Sequence, residues 1–334
     1  MRRSLAWFLL VGVAALVALV VWQGASEVVR LLGEAGSRLL LLSLFAVPNV
    51  LLASFSWRLL LAVKARPRLA TLAQAVWIGG AWNNLMPVAS VGGDAIRVRL
   101  LALRGAPTAE VAASVLVDKA VQGATTVVLA ALAALLFFVL VSERGALHAL
   151  ALSTPLLAAA LGVFVWLARR GTLLQSLASV VPRTRFPRLA EGMTHRAELV
   201  DAQLARIHAR PVPLLGALAL RVAARLLLAG EVWLAAQWMG YPVGVTEALA
   251  IRCLAWAARG TAFVVPAGVG VQEGAGMAAA SLLGLPLELG VSLSLAMRVR
   301  ELAVGLPGLA AWPWIEARAL RTRREAGRVL DSEQ

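Results

Sequence analysis

Long apolar runs separated by short polar breaks set the architecture of this chain. Uninterrupted apolar stretches fall at 5–22, 39–63, 108–141, 148–168, 211–239 and 286–315. A helix crosses a hydrocarbon core of about 30 Å in about 20 residues, so each stretch reads as a membrane span. Leu, Ala and Val fill these runs, without the two-residue alternation that marks a strand of a membrane barrel. The pattern predicts an all-α, polytopic membrane helix bundle.

Two further apolar stretches, 71–104 and 247–284, are interrupted near their middles. The first carries Leu85-Met86-Pro87-Val88-Ala89-Ser90-Val91-Gly92-Gly93-Asp94, and the second Val265-Pro266-Ala267-Gly268-Val269-Gly270-Val271-Gln272-Glu273-Gly274. Pro removes a backbone donor and Gly weakens a helix, so each stretch splits into two half-length helices. Neither half is comfortable as a span, and each pair is expected to form a broken, re-entrant helical hairpin. Non-helical backbone survives at membrane depth only when it is buried in protein or lines a wet cavity. Pro87, Gly92, Gly93, Pro266, Gly268 and Gly270 are therefore the candidate hinge or gating positions.

The two interrupted regions superimpose at an offset of 179 residues without a gap. Pro87 falls on Pro266, Asp94 on Glu273, Gly105 on Gly284, Pro107 on Pro286, Lys119 on Arg298, and upstream Trp77 on Trp256. Each unit reads as a span, a broken hairpin, a Gly-x-Pro helix start and a long helix with a buried cation about three turns in.

The cations orient these units. Of 32 Lys and Arg, 21 fall on segments assigned to one side: Arg2, Arg3, Lys64, Arg66, Arg68, Arg97, Arg99, Arg104, eight in 169–210 and five in 317–334. The opposite side holds Arg30, Arg38 and Arg144. Positive loops stay cytoplasmic, which places both termini in the cytoplasm. The first hairpin then opens inward and the second outward, giving two inverted repeats. The expected divisions are a first span and outer loop (1–37), repeat one (38–141), a connecting span and cytoplasmic connector (142–216), repeat two (217–316) and a charged, loosely ordered tail (317–334). In 171–210, Leu189, Met193, Val200, Leu204 and Ile207 recur at helical spacing and suggest an amphipathic helix on the inner membrane surface. The N-terminal run lacks a small-x-small cleavage site and reads as a retained span rather than a signal peptide.

Composition agrees. The chain is 334 residues long, 60% hydrophobic and only 15% charged, with mean hydropathy +0.80 and net charge +14. In a membrane protein such an excess belongs to loops facing anionic lipid, and no basic–aromatic domain supports nucleic-acid binding. Cys253 is the single cysteine, and His148, His195 and His208 lack ligand spacing, so no metal site or intramolecular disulfide is expected. No Walker loop, HExxH or Gly-x-Ser-x-Gly occurs, and no cofactor is expected.

Candidate chemistry lies in charges inside the apolar segments. Arg58, Lys119, Arg221, Arg225, Arg252, Arg259, Arg298 and Arg300 face Asp94, Asp118, Glu231, Glu273 and Glu301, eight cations against five acids. Each must pair or face a polar cavity, and the surplus of three cations suits an anionic ligand such as a lipid headgroup. Arg221 and Arg225 share a helix face, which favours a common anionic partner. Arg298 and Glu301 are spaced for a structural salt bridge. Asp94 and Glu273 can act as helix N-caps as well as ligands, Asn83 and Asn84 can satisfy backbone groups freed at the break, and Arg58 and Arg259 can snorkel to an interface. Trp22, Trp57, Trp238, Trp312 and Trp314 read as interfacial anchors.

Asn84-x-x-Pro87, Gly92-Gly93-Asp94-x-x-Arg97, Val265-Pro266-x-Gly268-x-Gly270-x-Gln272-Glu273-Gly274 and Arg298-x-Arg300-Glu301 with Gly305-Leu306-Pro307-Gly308 resemble the flippase-like transmembrane domain of lysylphosphatidylglycerol synthases. Within that superfamily the Gly-Val-Gln-Glu-Gly and Arg-x-Arg-Glu-Leu forms are most similar to the hopanoid-biosynthesis-associated branch. The resemblance implies a bacterial inner-membrane protein that handles a polar lipid, anionic or hopanoid-type. The expected headgroup ligands are Arg97, Lys119, Arg221, Arg225, Asp94, Glu273, Gln272, Arg298 and Glu301. The full-length synthases add a soluble aminoacyl-transferase domain after the membrane part; this chain runs to Gln334, and lysine transfer from tRNA is not expected. The alternatives are a non-catalytic accessory or scaffold for a lipid biosynthetic enzyme and, last, a lipid-modifying transferase using Asp94 and Glu273.

Overall fold

The computed structural model describes residues 25–61, 67–86, 92–141, 199–261 and 270–332. The expected spans 5–22 and 148–168, and Pro87, Pro266 and Gly268, lie outside the described residues. The described residues are helical with no strand: α1 (Ala25–Ala35), a 3-10 stretch (Gly36–Phe45), α2 (Ala46–Leu60), α3 (Leu69–Leu85), α4 (Gly92–Leu103), α5 (Thr108–Leu140), α6 (199–208), α7 (Pro211–Leu227), α8 (Ala229–Trp238), α9 (Val245–Thr261), α10 (Val271–Leu282) and α11 (Leu287–Ser332). Among the described residues three stretches are long and apolar enough to cross a membrane: Val28–Leu60, Thr108–Leu140 and Pro211–Trp238. Phe138, Val139, Leu44, Val47, Val212 and Leu215 lie exposed on them. A large exposed apolar surface of this kind needs lipid rather than water around it.

Both interrupted stretches are split as the sequence predicts. The described helices of the first stretch are Leu69–Leu85, closed by an extended Met86, and Gly92–Leu103. Those of the second are Val245–Thr261 and Val271–Leu282, the latter opened by Gly270 at φ +83°. Residues 87–91 and 262–269 lie outside the described residues. Within each pair the helices pack on one another. At the first crossing a Cβ on Gly93 would lie 1.9 Å from the Gly79 carbonyl oxygen, so the two backbones touch there. Only glycine permits that approach, the small-residue logic of membrane helix packing.

The 179-residue offset recurs in the boundaries of two helix pairs. Shifted by 179, α4 (Gly92–Leu103) coincides with α10 (Val271–Leu282), and the start of α5 at Thr108 with that of α11 at Leu287. Both short helices stop in the same way. Gly105 and Gly284 take φ of +87° and +67°, and the following residues, Ala106 and Leu285, donate to the Leu101 and Ala280 carbonyls at 3.1 and 2.9 Å. This is a Schellman stop followed by Pro107 or Pro286, which opens the next helix. Packing exchanges under the offset as well: α3 lies against α11, and α9 against α5. Each unit's first half-helix is thus held by the other unit's long helix.

Several expectations change. Residues 25–35, read as an outer loop, form α1. The tail beyond Trp314 continues the long helix α11 to Ser332. Val200, Leu204 and Ile207 of α6 pack against Leu60, Ala113 and Ala217, so that apolar face meets protein rather than the membrane surface; Leu189 and Met193 lie outside the described residues. Trp57, read as an interfacial anchor, is fully buried and donates from Nε1 to Ser114 Oγ at 3.1 Å. Trp314 is 78% exposed, as an anchor would be.

Candidate functional site

Except for Arg58, the charged residues of the apolar segments pair or stack within the bundle. In the first unit Asp118 on α5 is the hub. Its carboxylate accepts from Arg97 Nη1 at 2.8 Å, from Arg221 Nη2 at 2.6 Å on both oxygens, and from Gln122 Nε2 at 3.1 Å. Arg97 also lies 4.1 Å from the Trp57 ring centroid and donates to Asp94 at 3.4 Å. Lys119, on a different face of α5 from Asp118, pairs with Asp94 at 3.0 Å. A buried ion that lost such a partner would destabilise the fold by about 3–5 kcal/mol.

The second unit repeats one of these pairs. Arg298, the offset equivalent of Lys119, holds Glu273, the equivalent of Asp94, at 3.1 Å. Glu273 also accepts the Gly270 N–H at 2.7 Å, so it caps α10 and binds a cation at once. Asp94 serves Lys119 and Arg97 from the first turn of α4. The predicted Arg298–Glu301 pair forms at 3.2 Å.

Glu301 then spreads the network. It accepts from Arg259 at 2.6 Å, and Arg300 lies 3.8 Å from it while pairing with Glu231 at 2.9 Å. Arg259 is therefore not a snorkelling residue. It also donates to Gln272 Oε1 at 3.1 Å and to Asn84 Oδ1 at 3.2 Å, which joins α3 of the first unit to α9, α10 and α11 of the second. Asn83 does what the break requires and accepts the Gly93 N–H at 2.8 Å.

Arg221 and Arg225 do not share a protein carboxylate. Arg221 takes Asp118, whereas Arg225, one turn on, stacks over Trp256 at 3.6 Å from the ring centroid. Arg252 and Arg259 lie 5.7 and 6.0 Å from the same ring. Arg252 is 5% exposed and points its Nη1 at Met297 Sδ, a weak acceptor. Among the described residues no carboxylate lies within ion-pairing distance of Arg225 or Arg252. The nine expected headgroup residues thus fall into separate groups. Arg97, Arg221, Lys119 and Asp94 are linked through Asp118 and Asp94, and Glu273, Arg298, Glu301 and Gln272 through Arg298 and Arg259, while Arg225 lies over Trp256. Asp118, Trp57, Trp256, Asn84, Arg252, Arg259, Glu231 and Arg300 are added to them. Most of these were visible as charges in apolar segments; the two rings and Asn84 become partners only through folding. Among the described residues no group of three His, Cys, Asp or Glu could hold a metal.

A helical bundle with apolar flanks and a charged interior defines an α-helical membrane protein. The chain belongs to the lysylphosphatidylglycerol synthase TM region family, whose model matches residues 9–308. Neither a curated protein nor a solved structure matches it.

Proposed function

We propose that this protein binds the polar head of a membrane lipid in its charged interior and carries it between leaflets, as a flippase-like protein without enzymatic activity. The observation that carries the reading is the pair of offset-equivalent ion pairs, Asp94–Lys119 and Glu273–Arg298, whose carboxylates lie in the first turns of the second half-helices, α4 and α10. Two near-equivalent units whose half-helices exchange partners can rock between two forms of similar energy, the arrangement inverted-repeat transporters use. The cation asymmetry of the sequence supports opposite insertion of the units, a bacterial inner membrane and cytoplasmic termini. Family membership supports a lipid as cargo. The Gln272-Glu273-Gly274 and Arg298-x-Arg300-Glu301 forms favour the hopanoid-associated branch, with a hopanoid-type or anionic lipid as the class.

Asp94 and Glu273, the carboxylates a transferase would need, are each engaged by a cation, which favours binding over proton transfer. The test is leaflet exchange of a fluorescent phosphatidylglycerol in proteoliposomes. Exchange well above that of protein-free vesicles is expected. A rate equal to protein-free vesicles across anionic, zwitterionic and hopanoid-type lipids overturns translocation. Co-purification of a lipid synthase with that result establishes the scaffold role instead.

A further inference from the structure

The two units balance their charges differently, and one of the differences falls at Asp118. Asp118 pairs with both Arg97 and Arg221 in the first unit. Its offset equivalent in the second unit is Met297, and Arg252 directs its guanidinium at that thioether. A position that holds a carboxylate in one unit holds a weak acceptor in the other, so among the described residues Arg252 has no carboxylate within ion-pairing distance. Arg225 is in the same condition, and both heads converge on the Trp256 indole, at 3.6 and 5.7 Å from its centroid. Beyond Arg259, which lies against the same ring, Gln272 offers a buried Nε2–H donor that meets no acceptor among the described residues.

Two guanidiniums lacking a carboxylate, an aromatic wall and a spare amide donor match the needs of a phosphate-type oxyanion. Guanidinium forks bind such groups by paired, charge-assisted hydrogen bonds. We infer that Arg225, Arg252 and Trp256 form the anion subsite of the interior, taking a phosphate-type oxyanion, while Arg97, Arg221 and Lys119 are structural cations that pair with Asp118 and Asp94. This rests on the reading that the interior holds a lipid headgroup; the same chemistry would also accept free phosphate. It assigns Arg252 a binding role and separates Arg225 from the other cations of the site.

The purified full chain, in detergent, is offered dioleoylphosphatidylglycerol or a phosphate-free diglucosyldiacylglycerol, and retained lipid is counted by native mass spectrometry. The phospholipid is expected to be preferred. Arg225→Gln should lower that retention about tenfold or more, the scale of a lost charge-assisted hydrogen bond. Arg225→Lys should keep part of it, and Arg99→Gln, which removes an exposed cation, should leave it unchanged. Met297→Glu is the decisive variant. It gives Arg252 a carboxylate at the position equivalent to Asp118, so phospholipid retention should fall while the melting temperature rises or holds. Displacement of the lipid by excess inorganic phosphate identifies a free anion as the ligand; no displacement identifies the headgroup. Equal retention of the two lipids, or wild-type retention by either folded variant, Arg225→Gln or Met297→Glu, overturns the subsite. Selective retention without leaflet exchange keeps the subsite and removes translocation, whereas exchange with unselective retention does the reverse.

Discussion

Asp118 shows what a single residue does in this interior. It is fully buried and holds Arg97 from its own unit and Arg221 from α7. Asp118→Asn keeps the shape and removes the charge, leaving Arg221 without a carboxylate among the described residues and Arg97 with only Asp94 at 3.4 Å. A loss of about 3–5 kcal/mol is expected, read as a lowered melting temperature in detergent. Arg99→Gln gives the contrast. Its partner Glu316 sits at the surface and the Arg99 side chain is 56% exposed, so a change under about 1 kcal/mol is expected. Equal melting shifts for the two variants would show that the buried network contributes no more than a surface pair.

At the scale of elements, the split-helix pairs depend on backbone contact. Gly93→Ala places a methyl 1.9 Å from the Gly79 carbonyl oxygen and 2.7 Å from Asn83 Oδ1, so α3 and α4 must separate. Overpacking of this kind costs about 1–3 kcal/mol, and here it also removes the Asn83 contact that satisfies the start of α4. Gly274→Ala on α10 meets nothing within 4 Å and should be neutral or stabilising by about 0.4–1 kcal/mol. Thermal unfolding of the two variants side by side checks both signs. The split itself was legible in the sequence because Pro and Gly break helices by local chemistry. The contact between Gly79 and Gly93 was not, because a crossing point depends on how two helices rotate against each other.

At the scale of the whole molecule, each unit's long helix holds the other unit's half-helix. Trp77 on α3 donates to the Val304 carbonyl on α11 at 2.9 Å, and a Cβ on Gly308 would lie 2.9 Å from Ala81 Cβ. If carriage of a lipid requires α3 to move against α11, a cross-link there stops it. Ala81→Cys with Gly308→Cys, in a Cys253→Ser background, should form a disulfide after a small separation of the helices. Leaflet exchange should then be lost on oxidation and return with reductant. Unchanged exchange in the cross-linked protein would show that α3 and α11 move as one body.

Local patterning by itself determined the helical class, the membrane environment, the two breaks and the 179-residue correspondence, because apolar length, Pro and Gly act over a few residues. It also marked the buried charges, since an ion in an apolar run needs a partner wherever the chain goes. Which partner each ion finds was decided only in three dimensions. Arg259 reaches Asn84 across 175 positions of sequence, and Trp57 is a core wall beneath Arg97 rather than an anchor. Arg221 and Arg225, alike on one helix face, part ways because Asp118 lies beneath one and Trp256 beneath the other. Pairing of buried charges is a property of packed helices, and no one-dimensional spacing encodes the rotation and depth at which those helices meet.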